Sequence, residues 1–330
     1  QQSDCDALTW TGDGSSAPYE VTSDWHLACI NDFAGTPTNF LVANDIYAWG
    51  TANWNDGSVT GLQTQGNLSG TFDGGGKEII DLTTYGGLFE TLNAGSSLNN
   101  VTLTNVDATL PVGETSRTKY GVLAGELEVN DQGTPSMSNN DVRGSIQVTL
   151  GSNAGGSEFD NNVGVLAGKV LFRVGGNELR IENNVIDVKV SGTSFTFGGI
   201  AGYVDSAESN ADLRVDDNDF TIDASALTTP SVSQNFTFGG LVGTWLHLSD
   251  HNWQLVTNNL VEVTFVMGSP GGSRRSAASH FFNSYYTHCI DVPDGNQQSG
   301  SSLTADYTGD IVVKYYDSSG TASPGDTCSP

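Results

Sequence analysis

Between Tyr85 and Phe265 short apolar runs alternate with glycine and asparagine in an order that recurs five times. Each unit opens on an aromatic residue or Val, then Gly, one further residue, and Leu or Ile. The five are Tyr85-Gly86-Gly87-Leu88, Tyr120-Gly121-Val122-Leu123, Val163-Gly164-Val165-Leu166, Phe197-Gly198-Gly199-Ile200 and Phe238-Gly239-Gly240-Leu241. A second glycine follows at Gly125, Gly168, Gly202 and Gly243, where the first unit has Glu90. After an insert of variable length come an Asn or Asx-Asn pair and a run with period two, as in Asn183-Asn184-Val185-Ile186-Asp187-Val188. Alternation rich in Val, Ile, Phe and Thr predicts strands. A helical repeat would keep a 3.6-residue period and would not accept glycine pairs inside its elements.

The Gly86, Gly121, Gly164, Gly198 and Gly239 anchors are 35, 43, 34 and 41 residues apart. A unit of that size cannot bury its own apolar face and must stack on its neighbours. The expected fold is therefore all-β: a right-handed parallel β-helix, two or three strands per coil, with an N-terminal helical cap and a C-terminal capping region. Leu88, Leu123, Leu166, Ile200 and Leu241 should stack in one parallel sheet. Asn99, Asn140, Asn184, Asn218 and Asn259 should stack at one corner, because Asn tolerates a left-handed backbone and its amide can bond up the column. The opposite parity carries Tyr85, Tyr120, Val163, Phe197 and Phe238, then Phe89, Ala124, Ala167, Ala201 and Val242. Only one parity of a strand can face the interior. The other should form an apolar stripe, covered by another copy of the chain or by one of its own ends.

Outside the repeats the pattern changes. The chain divides into residues 1–84 as an N-terminal cap with the first coils, 85–267 as the repeat stack, and 268–330 as a C-terminal cap or docking tail. Ser23 can cap a helix through Phe33, with Asp24 in its first turn and Trp25, Cys29, Ile30 and Phe33 on one face. Cysteines stand at both ends of the chain, and the local pairing, Cys5 with Cys29 and Cys289 with Cys328, would staple each end. An even count so placed fits an oxidising compartment. The chain opens on Gln1, which reads as a mature secreted form. Glycosylation sequons occur at Asn67, Asn100 and Asn235, the second inside the proposed Asn column.

Charge narrows the function. Twelve Lys and Arg stand against 38 Asp and Glu, a net charge of −26 with a pI near 4.1. That balance excludes nucleic acid and anionic membrane surfaces as partners, and no run of 18 apolar residues predicts membrane insertion. No cofactor is expected. The carboxylates leave calcium open, although no ordered ligand loop is present.

Three groups of residues could carry chemistry. Gly74-Gly75-Gly76-Lys77 lacks the spacing and the hydroxyl residue of a phosphate loop and reads as a tight turn. Trp245, His247, Asp250, His251 and Trp253 form the densest cluster, suited to a sugar through the Trp faces or to a metal through imidazole and carboxylate. Asp205, Asp212, Asp216, Asp217, Asp219 and Asp223 crowd one repeat, where two carboxylates about 5–10 Å apart would suffice for glycoside hydrolysis. Turn-favouring, solvated Asp is the plainer account. A Thr column able to order ice is not present.

The Asn44-Asp45-Ile46 strand, Gly70-Thr71-Phe72-Asp73-Gly74-Gly75-Gly76-Lys77-Glu78-Ile79 and Gly86-Gly87-Leu88-Phe89 together resemble the opening of secreted bacterial β-helix proteins with GLUG repeats. The Gly-Leu-x-Gly core of that motif stands at Gly240-Leu241-Val242-Gly243 and, with Ile, at Gly199-Ile200-Ala201-Gly202. The resemblance spans about Tyr19 to Phe265. It implies an adhesin or other cell-surface protein and brings no catalytic residues with it. The expected function is a secreted structural or adhesive protein that self-assembles or binds cell-surface carbohydrate. A polysaccharide lyase or hydrolase is the alternative.

Overall fold

A computed structural model describes residues 2–56, 59–112, 118–150, 161–174, 177–194, 196–206, 212–228, 236–239, 241–247, 256–257, 260–265, 276–279, 282–284, 314–316 and 322–324. The fold is all-β with parallel pairing throughout the repeats. One coil shows the plan: Ser97–Asn99, Thr102–Val112, Thr118–Tyr120 and Ala124–Val129 follow one another, and Ser136–Ser138 returns beside the first. Each turn thus has four strands rather than two or three, because the Gly motif is itself a corner between the third and fourth.

The first strands form an eight-stranded sheet from Tyr19–Val21 to Val256–Thr257. The third strands, Thr118–Tyr120 to Ser276–Ser279, make a sheet of five. The second and fourth belong to one curled sheet of 14, joined by Thr83–Leu92, which pairs with Asp107–Thr109 near its start and with Ala124–Leu127 near its end.

The leucine column stacks as expected. Ala124, Ala167, Ala201 and Val242 pair in register, so Leu123, Leu166, Ile200 and Leu241 lie above one another, all buried. They occupy the corner itself, where backbone bonds such as Leu123 N–H to Leu166 O (3.3 Å) and Ile200 N–H to Leu241 O (2.7 Å) run up the column.

The asparagine corner splits two roles between two residues. Asn100, Asn139, Asn183 and Asp217 hold the left-handed turn, with φ of 57°, 56°, 56° and 54°. The next residue builds the ladder. Asn140 donates from Nδ2 to Asn184 Oδ1 (3.0 Å), and Asn184 does the same to Asn218 Oδ1 (2.9 Å). Each Oδ1 also accepts the backbone N–H of the preceding rung. Asn99 is not in this column. It pairs with Ser138, and Val101 takes the ladder position in its coil, because Asn99-Asn100 sits one residue earlier than Asn139-Asn140. Asn259 lies outside the described residues.

The aromatic and alanine parity is buried by the neighbouring strands rather than by another copy or a chain end. Val163, Phe197, Phe89, Ala124, Ala167, Ala201 and Val242 are at most 1% exposed, and Tyr85 and Tyr120 are half-buried. The cause lies in the glycines. A Cβ on Gly168 would strike the backbone of Tyr120, one on Gly202 that of Val163, and one on Gly243 that of Phe197. The sheet of third strands therefore lies on the fourth strands, backbone against backbone, and covers the parity that a single sheet would expose. Phe238 belongs to a strand of this sheet.

At the N-terminal end a short α-helix, Asp24–Cys29, continues as a 3₁₀ turn, Ile30–Phe33. Ser23 caps it, its hydroxyl accepting the His26 N–H at 3.3 Å. Leu27, Cys29 and Ile30 are buried, but Trp25 is 36% exposed. The buried face is centred on His26, Leu27, Cys29 and Ile30, and Trp25 lies at its edge. Trp10, Phe33, Phe40, Phe72 and Phe89 form a chain of ring contacts from this cap into the core, with centroids 5.4–6.4 Å apart. Cys5 and Cys29 are disulfide-bonded. Cys289 and Cys328 lie outside the described residues.

Candidate functional site

Along the stack, several of the described carboxylates are held by cations. Asp205 pairs with Lys169 at 3.1 Å, Glu128 with Arg173 at 2.6 Å, and the buried Glu126 with Lys119 at 2.6 Å. Asp216 holds Arg214 and raises the affinity of its guanidinium for its proton. Asp217 occupies the left-handed corner, and Asp219 and Asp223 project from the second strand of the coil. The Asp cluster of the sequence is thus spread over three faces and a corner and does not converge. Trp245 and His247 fall in the strand Val242–His247, while Asp250, His251 and Trp253 lie outside the described residues. Among the described residues no group of three or more His, Cys, Asp or Glu is placed to hold a metal ion.

The cap is different. A groove of about 360 Å³ runs between the helix and the strand Leu62–Gln65, within the range of about 300–1,000 Å³ typical of ligand sites. Trp25, Asn31 and Asp32 form one wall, Gln63 and Gln65 the other, with Trp54 at one end and Cys5 also on the lining. Trp25 and Trp54 pack together with centroids 5.0 Å apart and planes tilted by 39°.

The groove is fixed by its own hydrogen bonds. Gln65 Oε1 accepts the Asn31 N–H at 3.0 Å, and Asn31 Oδ1 accepts the Gly66 N–H at 2.9 Å. Gln65 Nε2 donates to the Gln63 carbonyl at 2.7 Å. Trp54 reaches its place as the C-cap of a 3₁₀ turn, Trp49–Asn53, whose Thr51 hydroxyl donates to the Ala48 carbonyl at 2.7 Å. Under the helix, His26 is spent on structure. Its ring bonds Ser23 Oγ and the Thr9 carbonyl and meets Trp10 edge-on at 4.7 Å.

Sequence reasoning did not single out this groove, whose residues come from four separated segments. One signal was there: four of the six tryptophans fall within the first 54 residues, and residues 1–76 contain nine carboxylates and no Lys or Arg.

Together these features define an all-β protein of parallel sheets, one of them strongly curled, with an aromatic, amide-lined groove at its N-terminal end. No family model matches the sequence, and no curated protein matches it. Among solved structures, a Bacteroides ovatus protein named as a "putative immunoglobulin A1 protease" aligns over 82% of this chain and 86% of its own, with a TM-score of 0.46 and 18% identity. A likeness at that level carries no conclusion about this chain.

Proposed function

We propose that this chain is a secreted, non-catalytic adhesive protein, built as a right-handed parallel β-helix that presents a binding groove at its capped end. The observation that carries this reading is the aromatic, amide-lined groove at the cap. On the coils, Glu126, Glu128, Asp205 and Asp216 are tied to Lys or Arg. At the cap, an aromatic pair, amides and a carboxylate line an open groove. Paired carboxylates are poor candidates for the acid and base of a glycosidase, which need a separation set by a substrate and a free proton. The Cys5–Cys29 bridge supports an extracellular setting. The buried aromatic parity removes the stripe that would have favoured filament assembly.

The test is retention without turnover. The full chain, fluorescently labelled, is incubated with bacterial cell walls, mucin and insoluble polysaccharides, and the soluble fraction is assayed for new reducing ends and unsaturated uronates. Retention on at least one surface with no released sugar is the expected result. Release that scales with protein concentration would sink the non-catalytic reading, and a crystal structure with left-handed coils would sink the architecture.

A further inference from the structure

We infer that the cap groove takes an uncharged glycan, with one sugar ring lying on the exposed face of Trp25. This rests on the adhesive reading only in treating the groove as a binding site. Three observations point to that ligand class.

The first is ring geometry. A sugar needs a flat apolar face to stack against, and an indole offers one at small entropic cost. Trp25 is 36% exposed while Trp54 backs it at 5.0 Å, so the platform is both presented and held. A caged cation would need aromatic faces on separate sides of it. These two rings pack directly together and leave no slot between them.

The second is charge. Asp32 lines the groove, and Asp24 sits at the start of the same helix with its Oδ1 accepting the Trp25 N–H at 2.9 Å. Among the described residues that line the groove there is no Lys or Arg, and residues 1–76 contain nine carboxylates and neither cation. A uronate or sialic acid would find no cation to pair with and would meet repulsion within a Debye length of about 8 Å. The third is the rim. Asn31, Asp32 and Gln63 are exposed around the tryptophan, which gives polar groups of the kind that orient hydroxyls on an otherwise apolar floor.

The experiment uses the full chain, with tryptophan fluorescence and saturation-transfer NMR as readouts. The uncharged probes are cellohexaose, mannohexaose and the fully N-acetylated chitin hexasaccharide. Hexagalacturonate is the acidic probe and tetramethylammonium the cationic one. At least one uncharged hexasaccharide should bind, and hexagalacturonate should not at the same concentration. Trp25→Ala should weaken binding by about tenfold or more. Trp25→Tyr, which keeps a flat ring, should stay within about threefold. Trp49→Ala, which removes a tryptophan 67% exposed but outside the groove lining, should leave affinity unchanged. Asp32→Lys should bring in binding of hexagalacturonate. An intact Cys5–Cys29 bridge and unchanged circular dichroism show that each variant is folded.

The inference is overturned if hexagalacturonate binds the parent chain as well as the uncharged probes do, or if tetramethylammonium alone binds. It is equally overturned if affinity survives Trp25→Ala, or if every uncharged probe is silent. Should the probes be silent while the labelled chain still adheres to surfaces, only the groove assignment falls and the adhesive reading stands.

Discussion

The N-terminal cap and the coil stack share parallel strands and an apolar core, yet they distribute their side chains in opposite ways. In the stack, one position repeats in every coil, so a residue must suit the copy above and the copy below. Glycines there are fixed by backbone contact, ladder asparagines by amide bonds, and several surface carboxylates by cations. In the cap nothing repeats. Trp25 can face solvent and Asn31 can frame a groove, because no neighbouring copy requires those positions. Translational repetition gives stability but constrains chemistry, and a chain built this way has most freedom to place a site where repetition stops.

Four changes would break or sharpen that contrast. The largest effect is expected at the glycine column. Gly168→Ala puts a Cβ into the Tyr120 backbone, and since neither sheet can retreat without losing its pairing, a loss of about 3 kcal/mol or more is expected in urea unfolding. A neutral result would mean that the third strands do not rest on the fourth. Next, Cys5→Ser with Cys29→Ser opens a loop closed across 24 residues, worth about 3 kcal/mol by chain entropy. Hydrogen exchange should place that loss in the cap, with the amides of Leu123 to Val190 unchanged. If stack and cap loosen together, they are one cooperative unit.

Smaller again is Asn184→Ala, expected to cost about 2 kcal/mol. It leaves the Asn140 N–H and Nδ2 without their acceptor inside the protein. Retained stability would show that water replaces the amide. The smallest effect belongs to Asp13 in the cap. Its carboxylate accepts N–H groups from Ala17 (3.0 Å) and Ser15 (2.8 Å) and the Ser16 hydroxyl (2.6 Å). The Ala17 bond foremost, then those from Ser16 and Ser15, lower its pKa well below the carboxylate range. A depressed folded pKa means the stabilisation is complete above the unfolded value of about 3.9 and is lost as pH falls through the folded one. An NMR titration of the Asp13 carboxyl should thus show a midpoint under that value, and one at or above it would remove the turn from the account.

What the sequence disclosed follows the same division. Stacking forces one residue type into one column, so the Leu123, Leu166, Ile200 and Leu241 corner was readable from spacing alone. The Ser23 cap and the Cys5–Cys29 bridge were readable too, being local. The register of the first repeat was not. Its Asn pair supplies the left-handed residue second rather than first, and an irregularity between Leu103 and Val106 then changes the count. Burial of the aromatic parity was hidden because it depends on a sheet folding back onto its neighbour, which alternation along one strand does not encode. The groove was hidden for a further reason. Cys5, Trp25, Trp54 and Gln63 meet only after folding and belong to no pattern.

The asparagine ladder also has a direction. Every amide in it points the same way, each Oδ1 receiving from the coil before and each Nδ2 giving to the coil after or back to a carbonyl such as Leu98 O or Met137 O. At its beginning stands Val101, which offers a backbone donor to Asn140 Oδ1 at 3.0 Å and has no amide of its own. A gene segment copied anywhere between Asn140 and Asn218 would carry in a donor and an acceptor together and close the chain of bonds without loss. The same segment inserted ahead of Val101 would bring an Asn whose Nδ2 keeps a carbonyl behind it but finds no amide acceptor on Val101 ahead. The protein can therefore lengthen by duplication in its interior and away from the cap, while the groove-bearing end stays fixed.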